Sequence, residues 1–184
     1  MPGAEPAKPP PRWLSLVRDV PDFPEPGVVF KDISALLADH SAFVEVVEAL
    51  ARAGRDETGR VVVDKVAGVE ARGFILAAPV AVALGVGFVP VRKAGKLPGE
   101  TLGQSYALEY GEATLEIHRD AFGSGDRVLV IDDVLATGGT VAATTRLVSR
   151  AGATVAAVAV LIELGFLGGR GRLDDVPLVA LTTV

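Results

Sequence analysis

Apolar residues come in short runs along the chain, and the period of those runs changes from segment to segment. In SAFVEVVEALARAG, residues 41–54, Val44, Val47 and Leu50 share one helical face while Glu45, Glu48 and Arg52 point away. That stripe predicts an amphipathic helix with Gly54 as its stop. KVAGV at 65–69 is a short apolar run leading into Glu-Ala-Arg-Gly, and FILAAPVAVALG at 74–85 is mostly helix formers. Pro79 weakens the helix there, since it has no N–H to donate. VGFVPVRK at 86–93 reads as a strand, and AGKLPGETLGQS at 94–105 has no period and reads as a long loop, usually functional or disordered at that length. YALEYGEATLEIHRDAF at 106–122 mixes alternation with turns and suggests a hairpin. RVLVID (127–132), GTVAATTRLVSRAG (139–152) and TVAAVAVLIE (154–163) then give strand, helix and strand, and VPLVALTTV (176–184) adds another strand. Strands alternating with helices predict an α/β fold, a parallel sheet with helices on both faces.

One boundary in that pattern carries chemistry. In VLVIDDVLATGGT, residues 128–140, Asp132 and Asp133 stand at the carboxyl end of a buried strand and Thr-Gly-Gly-Thr opens the next helix. Ligands of open α/β sheets bind at such ends. The glycines let backbone N–H groups wrap an anion at the helix N-terminus, and the threonines add hydroxyl donors. No Lys follows the glycines, so this is not a nucleoside triphosphate loop of the Walker type. Two carboxylates beside a phosphate pocket suit the cis-diol of a ribose, at roughly 1.5 to 3 kcal/mol for each charge-assisted hydrogen bond.

Composition removes other readings. With 184 residues, 49% of them hydrophobic, the chain supports a single domain over 1–184, and the Pro-rich stretch 1–12 reads as a flexible tail with no signal-peptide character. The apolar runs are shorter than the ~20 residues a membrane span needs, so no membrane partner is expected. There is no cysteine, which removes disulfides and thiolate sites and fits a cytoplasmic protein. A net charge of −5 argues against nucleic-acid binding, which needs clustered cations.

VLVIDDVLATGGT resembles the 5-phosphoribosyl-1-diphosphate (PRPP) motif of the type I phosphoribosyltransferases. FPEPGVVFKDIS (23–34), VEARGF (69–74), VPVRKAGKLPGET (90–101) and YALEYGEATLEIH (106–118) are similar to segments of the adenine-specific members, and the resemblance runs from about residue 22 to about 169. It implies the type I phosphoribosyltransferase fold, a central parallel sheet flanked by helices with a small N-terminal base-binding hood and a flexible catalytic loop. The implied reaction is adenine plus PRPP giving AMP and diphosphate, with Mg²⁺ bound through the substrate and no metal ligated by an all-protein cage. A homodimer is implied as well. Enzymes for xanthine or hypoxanthine and guanine, or a noncatalytic PRPP sensor, are the alternatives.

Carried over by position, the resemblance gives Ala136, Thr137, Gly138, Gly139 and Thr140 to the 5′-phosphate and Asp132 and Asp133 to the ribose hydroxyls. Glu70, Ala71, Arg72 and Gly73 match the loop that receives diphosphate, where a guanidinium pairs bidentately with phosphate oxygens. Lys93 and Lys96 resemble residues that reach the diphosphate, in part from a neighbouring subunit. The backbone of Val29 and Lys31 would read the N6 donor and N1 acceptor of adenine, with Phe30 and Leu164 against the base faces. Lys31 stands where many members have Arg. Glu109 is the expected proton-transfer group, acting near N7 of the purine, and the 94–105 loop would be the lid.

Overall fold

The computed structural model describes residues 11–107, 111–173 and 175–184. These fall into two compact units that meet between Val46 and Val47. In the first, a 3-10 turn at Arg12–Leu16 precedes strands β1 (Arg18–Pro21) and β2 (Val29–Asp32). The two strands pair antiparallel, with Asp19 opposite Lys31 and Val20 opposite Phe30. Helix α1 (Ser34–Ala38) is a single turn that buries Leu36, and α2 (His40–Ala51) carries the chain across the boundary.

Helix α2 corrects the expected stripe. Ala42, Val46, Val47, Leu50 and Ala51 are buried, whereas Val44 is 40% exposed. The buried positions follow an i, i+4, i+5, i+8 spacing, so the apolar face is rotated from one centred on Val44.

The second unit runs β3 (Lys65–Val69), α3 (Arg72–Leu84), β4 (Gly87–Lys93), β5 (Thr101–Ala107), β6 (Glu112–His118), β7 (Arg127–Leu135), α4 (Gly139–Arg150), β8 (Thr154–Glu163) and β9 (Leu178–Thr183). Its sheet has the order β5-β6-β4-β3-β7-β8-β9. From β4 to β9 neighbouring strands are parallel, and β6 and β5 add an antiparallel flank. Alternation along β7 shows both faces covered. Val128 and Val130 pack in one cluster with Val141, Leu147 and Val148 of α4. Leu129 and Ile131, equally buried, point to the opposite face. On that face α3 comes so close to β3 that a Cβ at Gly68 would lie 2.6 Å from the Ala77 methyl. Only glycine permits this approach.

Two further expectations are revised. Helix α3 continues through Pro79. The proline leaves the carbonyl of Ile75 without its helical N–H donor, while Leu76, Ala77, Val80 and Ala81 stay buried and hold the helix in place. The 94–105 segment is not one long loop, because residues 101–107 are β5, paired residue by residue with β6 from Thr101 opposite His118 to Ala107 opposite Glu112. Leu102 and Tyr106 pack partly against the core while their neighbours face solvent, which is the pattern of a half-exposed edge strand. Among the described residues, no helix is long and apolar enough to cross a membrane.

Candidate active site

The acidic pair lies inside β7 rather than at its end, because the strand continues to Leu135. Both side chains are nearly covered, Asp132 at 8% and Asp133 at 6% exposure. The Asp133 backbone N–H donates to Asp132 Oδ1 at 2.9 Å. Arg72, at the start of α3, brings Nη2 to 2.6 Å from Asp133 Oδ2, yet that oxygen receives no aligned hydrogen bond. The contact is therefore an ion pair with acceptor capacity left over. Gly73 presses on the same place, since a Cβ there would lie 2.8 Å from Asp132 Oδ1. Burial pushes the Asp132 carboxyl well above the usual carboxylate range, and the neighbouring Asp133 charge pushes the same way against a smaller pull from Arg72.

Past β7 the chain folds into a small cradle of about 70 Å³ lined by Asp132, Ala136, Thr137, Gly138, Gly139 and Thr140 among others. Gly138 has φ 80°, a left-handed conformation that turns the chain into α4, and no side chain caps the helix. The first N–H groups of α4 are therefore left for an anion. Tyr106 of β5 reaches the cradle: its hydroxyl accepts a hydrogen bond from Thr140 Oγ1 at 3.3 Å. From below, Gly169 meets Gly138 and the Ala136 carbonyl so closely that neither glycine has room for a side chain. The segment bearing Gly169 is tied to the end of β8 by Arg170, whose Nε and Nη2 grip the Glu163 carboxylate at 3.0 and 2.5 Å.

The loop after β3 carries a second network. The Glu70–Ala71 peptide is cis. The Glu70 carboxylate accepts from Arg92 Nε at 3.1 Å, from the Lys93 backbone N–H at 3.1 Å, and from Lys96 Nζ. Burial alone would raise this carboxyl, but the Lys96 ammonium, the Lys93 N–H and the Arg92 guanidinium outweigh it and hold it below its ordinary value. Arg92 also donates to the Lys96 carbonyl at 3.1 Å. Lys96 is thus drawn into the Glu70 network, while Lys93 leaves its side chain exposed.

Of the expected base-reading residues, Val29, Phe30 and Lys31 form β2 in the first unit. Phe30 meets Phe23 edge to face at 5.1 Å, and Lys31 Nζ pairs with Asp19 Oδ1 at 2.7 Å. Leu164, in the second unit, follows β8 and donates its N–H to the Leu135 carbonyl at 2.9 Å. Glu109 lies outside the described residues.

Comparison with known proteins places this arrangement. Residues 34–176 match the phosphoribosyl transferase domain family. An adenine phosphoribosyltransferase of a Nocardioides species is 68% identical over 171 residues, covering 93% of this chain and 92% of its own length. The chain belongs to the adenine phosphoribosyltransferase family. Solved members share its fold. The enzyme of Thermoanaerobacter pseudethanolicus superposes with a TM-score of 0.88 at 48% identity, covering 94% of this chain and 98% of its own. That of Saccharomyces cerevisiae, solved with adenine and an imino-altritol bisphosphate, has a TM-score of 0.87 at 37% identity and covers 92% and 96%.

In this phosphoribosyltransferase fold the structure joins two stretches that are far apart in sequence, because Arg72 and Gly73 of the diphosphate-loop match lie directly against the Asp132–Asp133 pair. Sequence reasoning missed Arg92 and the Gly169 support with its Arg170–Glu163 clasp. The first had a signal in the basic run VRKAGK. The clasp had none, since Arg170 sits among glycines with no period.

Proposed function

We propose that this protein uses the family's chemistry, transferring the 5-phosphoribosyl group of PRPP to adenine with release of diphosphate. The observation that carries the reading is the uncapped amino end of α4 behind left-handed Gly138, set beside a buried aspartate pair. The 5′-phosphate would take the free N–H groups of α4 and the hydroxyls of Thr137 and Thr140. Asp132 and Asp133 would accept hydrogen bonds from the ribose diol. They also place negative charge where the sugar becomes cationic as diphosphate leaves. Arg72 and the exposed Lys93 would meet the departing diphosphate, with Ala71 and Gly73 giving backbone access.

Adenine would be read by the backbone of Val29 and Lys31. Pro21, opposite Val29, has no N–H to give, which fits these two residues turning their polar backbone groups out of the β1–β2 ribbon. Because the Lys31 ammonium is paired with Asp19, the change from the commoner Arg leaves that backbone role intact. Phe30 offers a ring to a base face, and Leu164 an apolar surface for the same purpose. Glu109 would hold the proton exchanged with N7 as N9 attacks.

Mg²⁺ fits as an ion delivered on substrate oxygens. The described residues hold no cluster of three or more ligating side chains, while Asp133 Oδ2 has spare acceptor capacity for a metal-bound water. Bound there, the ion would offset phosphate charge. PRPP carries phosphate charge that does not cross a bilayer, which suits a cytoplasmic enzyme acting on small molecules, and a homodimer belongs to the same reading.

A spectrophotometric assay with PRPP, Mg²⁺ and each purine tests the reading. Adenine should be used at least about a hundredfold better than hypoxanthine or guanine, which leave buried polar groups unmatched. Glu109→Gln should lower kcat by roughly 10²- to 10⁴-fold with little change in either KM. Equal use of hypoxanthine would overturn the base assignment, and a normal kcat in the variant would overturn the proton role.

A further inference from the structure

A second cleft, sharing no lining residue with the phosphate cradle, opens along α4. It has a volume of about 390 Å³, within the range of small-molecule sites. Three arginines line it, Arg146 and Arg150 from successive turns of α4 and Arg172 from the segment before β9. In a chain of net charge −5, that concentration of positive charge needs a reason. Among the described residues, no carboxylate forms an ion pair with any of the three. Arg146 and Arg150 stand four apart on one helix face, where like charges repel and weaken a helix. Position 142, the preceding place on that face, is Ala, so no acid relieves them.

The arginines are not equivalent. Arg150 Nη1 donates to the Gly103 carbonyl at 2.6 Å and to Gln104 Oε1 at 3.2 Å, which fastens α4 to β5. Among the described residues Arg146 and Arg172 make no such bond, and both are exposed. Between them the floor is apolar: Ala142 and Leu173 are buried, and Val176 packs against the core. Donors with five N–H groups each suit phosphate oxygens, and an apolar floor suits a ring or sugar face.

We propose that this cleft is a binding site for an organic phosphate of nucleotide size, held by Arg146 and Arg172 with its non-ionic part on Leu173 and Val176. The site is separate from the one that would take PRPP and AMP, so both can be filled together. Neither arginine belongs to the catalytic machinery.

Isothermal titration calorimetry on the full chain tests this, with ATP and inorganic tripolyphosphate as probes, each with and without saturating AMP. AMP alone is titrated first, so that failure of the active-site reading is seen by itself. ATP should still bind at one equivalent per chain when AMP is saturating. In the Arg146→Ala/Arg172→Ala double variant its affinity should fall by about tenfold or more, the scale of lost charge-assisted hydrogen bonds. The affinity for AMP should be unchanged. Both side chains are exposed, and circular dichroism of the variant verifies that the fold survives. No ATP binding beside AMP, or equal ATP affinity in the double variant, would overturn the site. Tripolyphosphate binding as tightly as ATP would overturn the role of the apolar floor.

Discussion

Asp132 illustrates how a single residue can favour the ligand at the expense of the fold. Its carboxyl is driven up by burial first and by the Asp133 charge second. The sign follows from linkage: a carboxyl with a raised folded pKa binds its proton more tightly folded than unfolded, so stability declines as pH rises above the ordinary value of 3.8. Asp132→Asn keeps an oxygen for the Asp133 N–H but carries no charge. The variant is expected to melt higher than wild type at pH 7, by about 2 to 4 °C per kcal/mol recovered, with the gain vanishing below pH 3.8. Use of PRPP should weaken by roughly 1 to 3 kcal/mol in the same variant. Calorimetric melting against pH, with kcat/KM for PRPP, checks both halves; a melting point lowered at pH 7 would contradict the burial argument. The buried strand with its aspartates and the glycine turn into α4 were legible because both are local features of the chain. The partners of Arg72 and Lys96 were not, because Glu70 and Lys96 stand 26 residues apart and meet only once β3 and β4 are paired.

At the level of elements, helices and buried strands were readable from their periods, whereas β5 hid behind its composition. Thr-Leu-Gly-Gln-Ser shows little of the β-branched or aromatic bias of a central strand, and an edge strand with one wet face does not need it. The short segment 165–172 was equally silent, yet it backs the cradle at 136–140. Glu163 is 5% exposed, and the Arg170 hydrogen bonds are the main reason its carboxyl sits below the ordinary range, ahead of burial acting the other way. Arg170→Ala strands a buried carboxylate. Removing one partner of a buried pair costs about 3 to 5 kcal/mol, and the 53% exposure of the Arg170 side chain puts this case below that range. The KM for PRPP should rise more than that for adenine, and Arg170→Lys should restore only part, since an ammonium cannot grip both oxygens. A depressed carboxyl contributes stability above its ordinary value of 4.5 that is lost as pH falls through the folded value. Acid-unfolding curves of the alanine variant should lack that component, and a curve identical to wild type would remove the clasp from the account.

For the whole molecule, the alternation of strand and helix gave the parallel sheet correctly, but not the strand order, which depends on crossovers that no local pattern encodes. Helix α3 turns one more apolar stripe outward. Ile75, Pro79 and Val82 fall at i, i+4 and i+7, with Ile75 44% and Val82 81% exposed. A second copy of the chain is the occupant that the homodimer reading supplies. Val82→Glu should convert a particle of twice 19.0 kDa to one of 19.0 kDa by light scattering. A wild-type monomer, or a variant that remains dimeric, would remove α3 from the interface. The back-to-back packing of Gly138 on Gly169 has a different consequence, one of timing. A ribosome delivers residues in order, so the turn at 136–140 emerges well before the glycine that supports it, and before β9, which pairs with β8. The growing chain can form β3, β4 and β7 while the cradle at 136–140 still lacks a floor. Under the proposed function, PRPP held at that cradle would stabilise only a chain that is nearly finished.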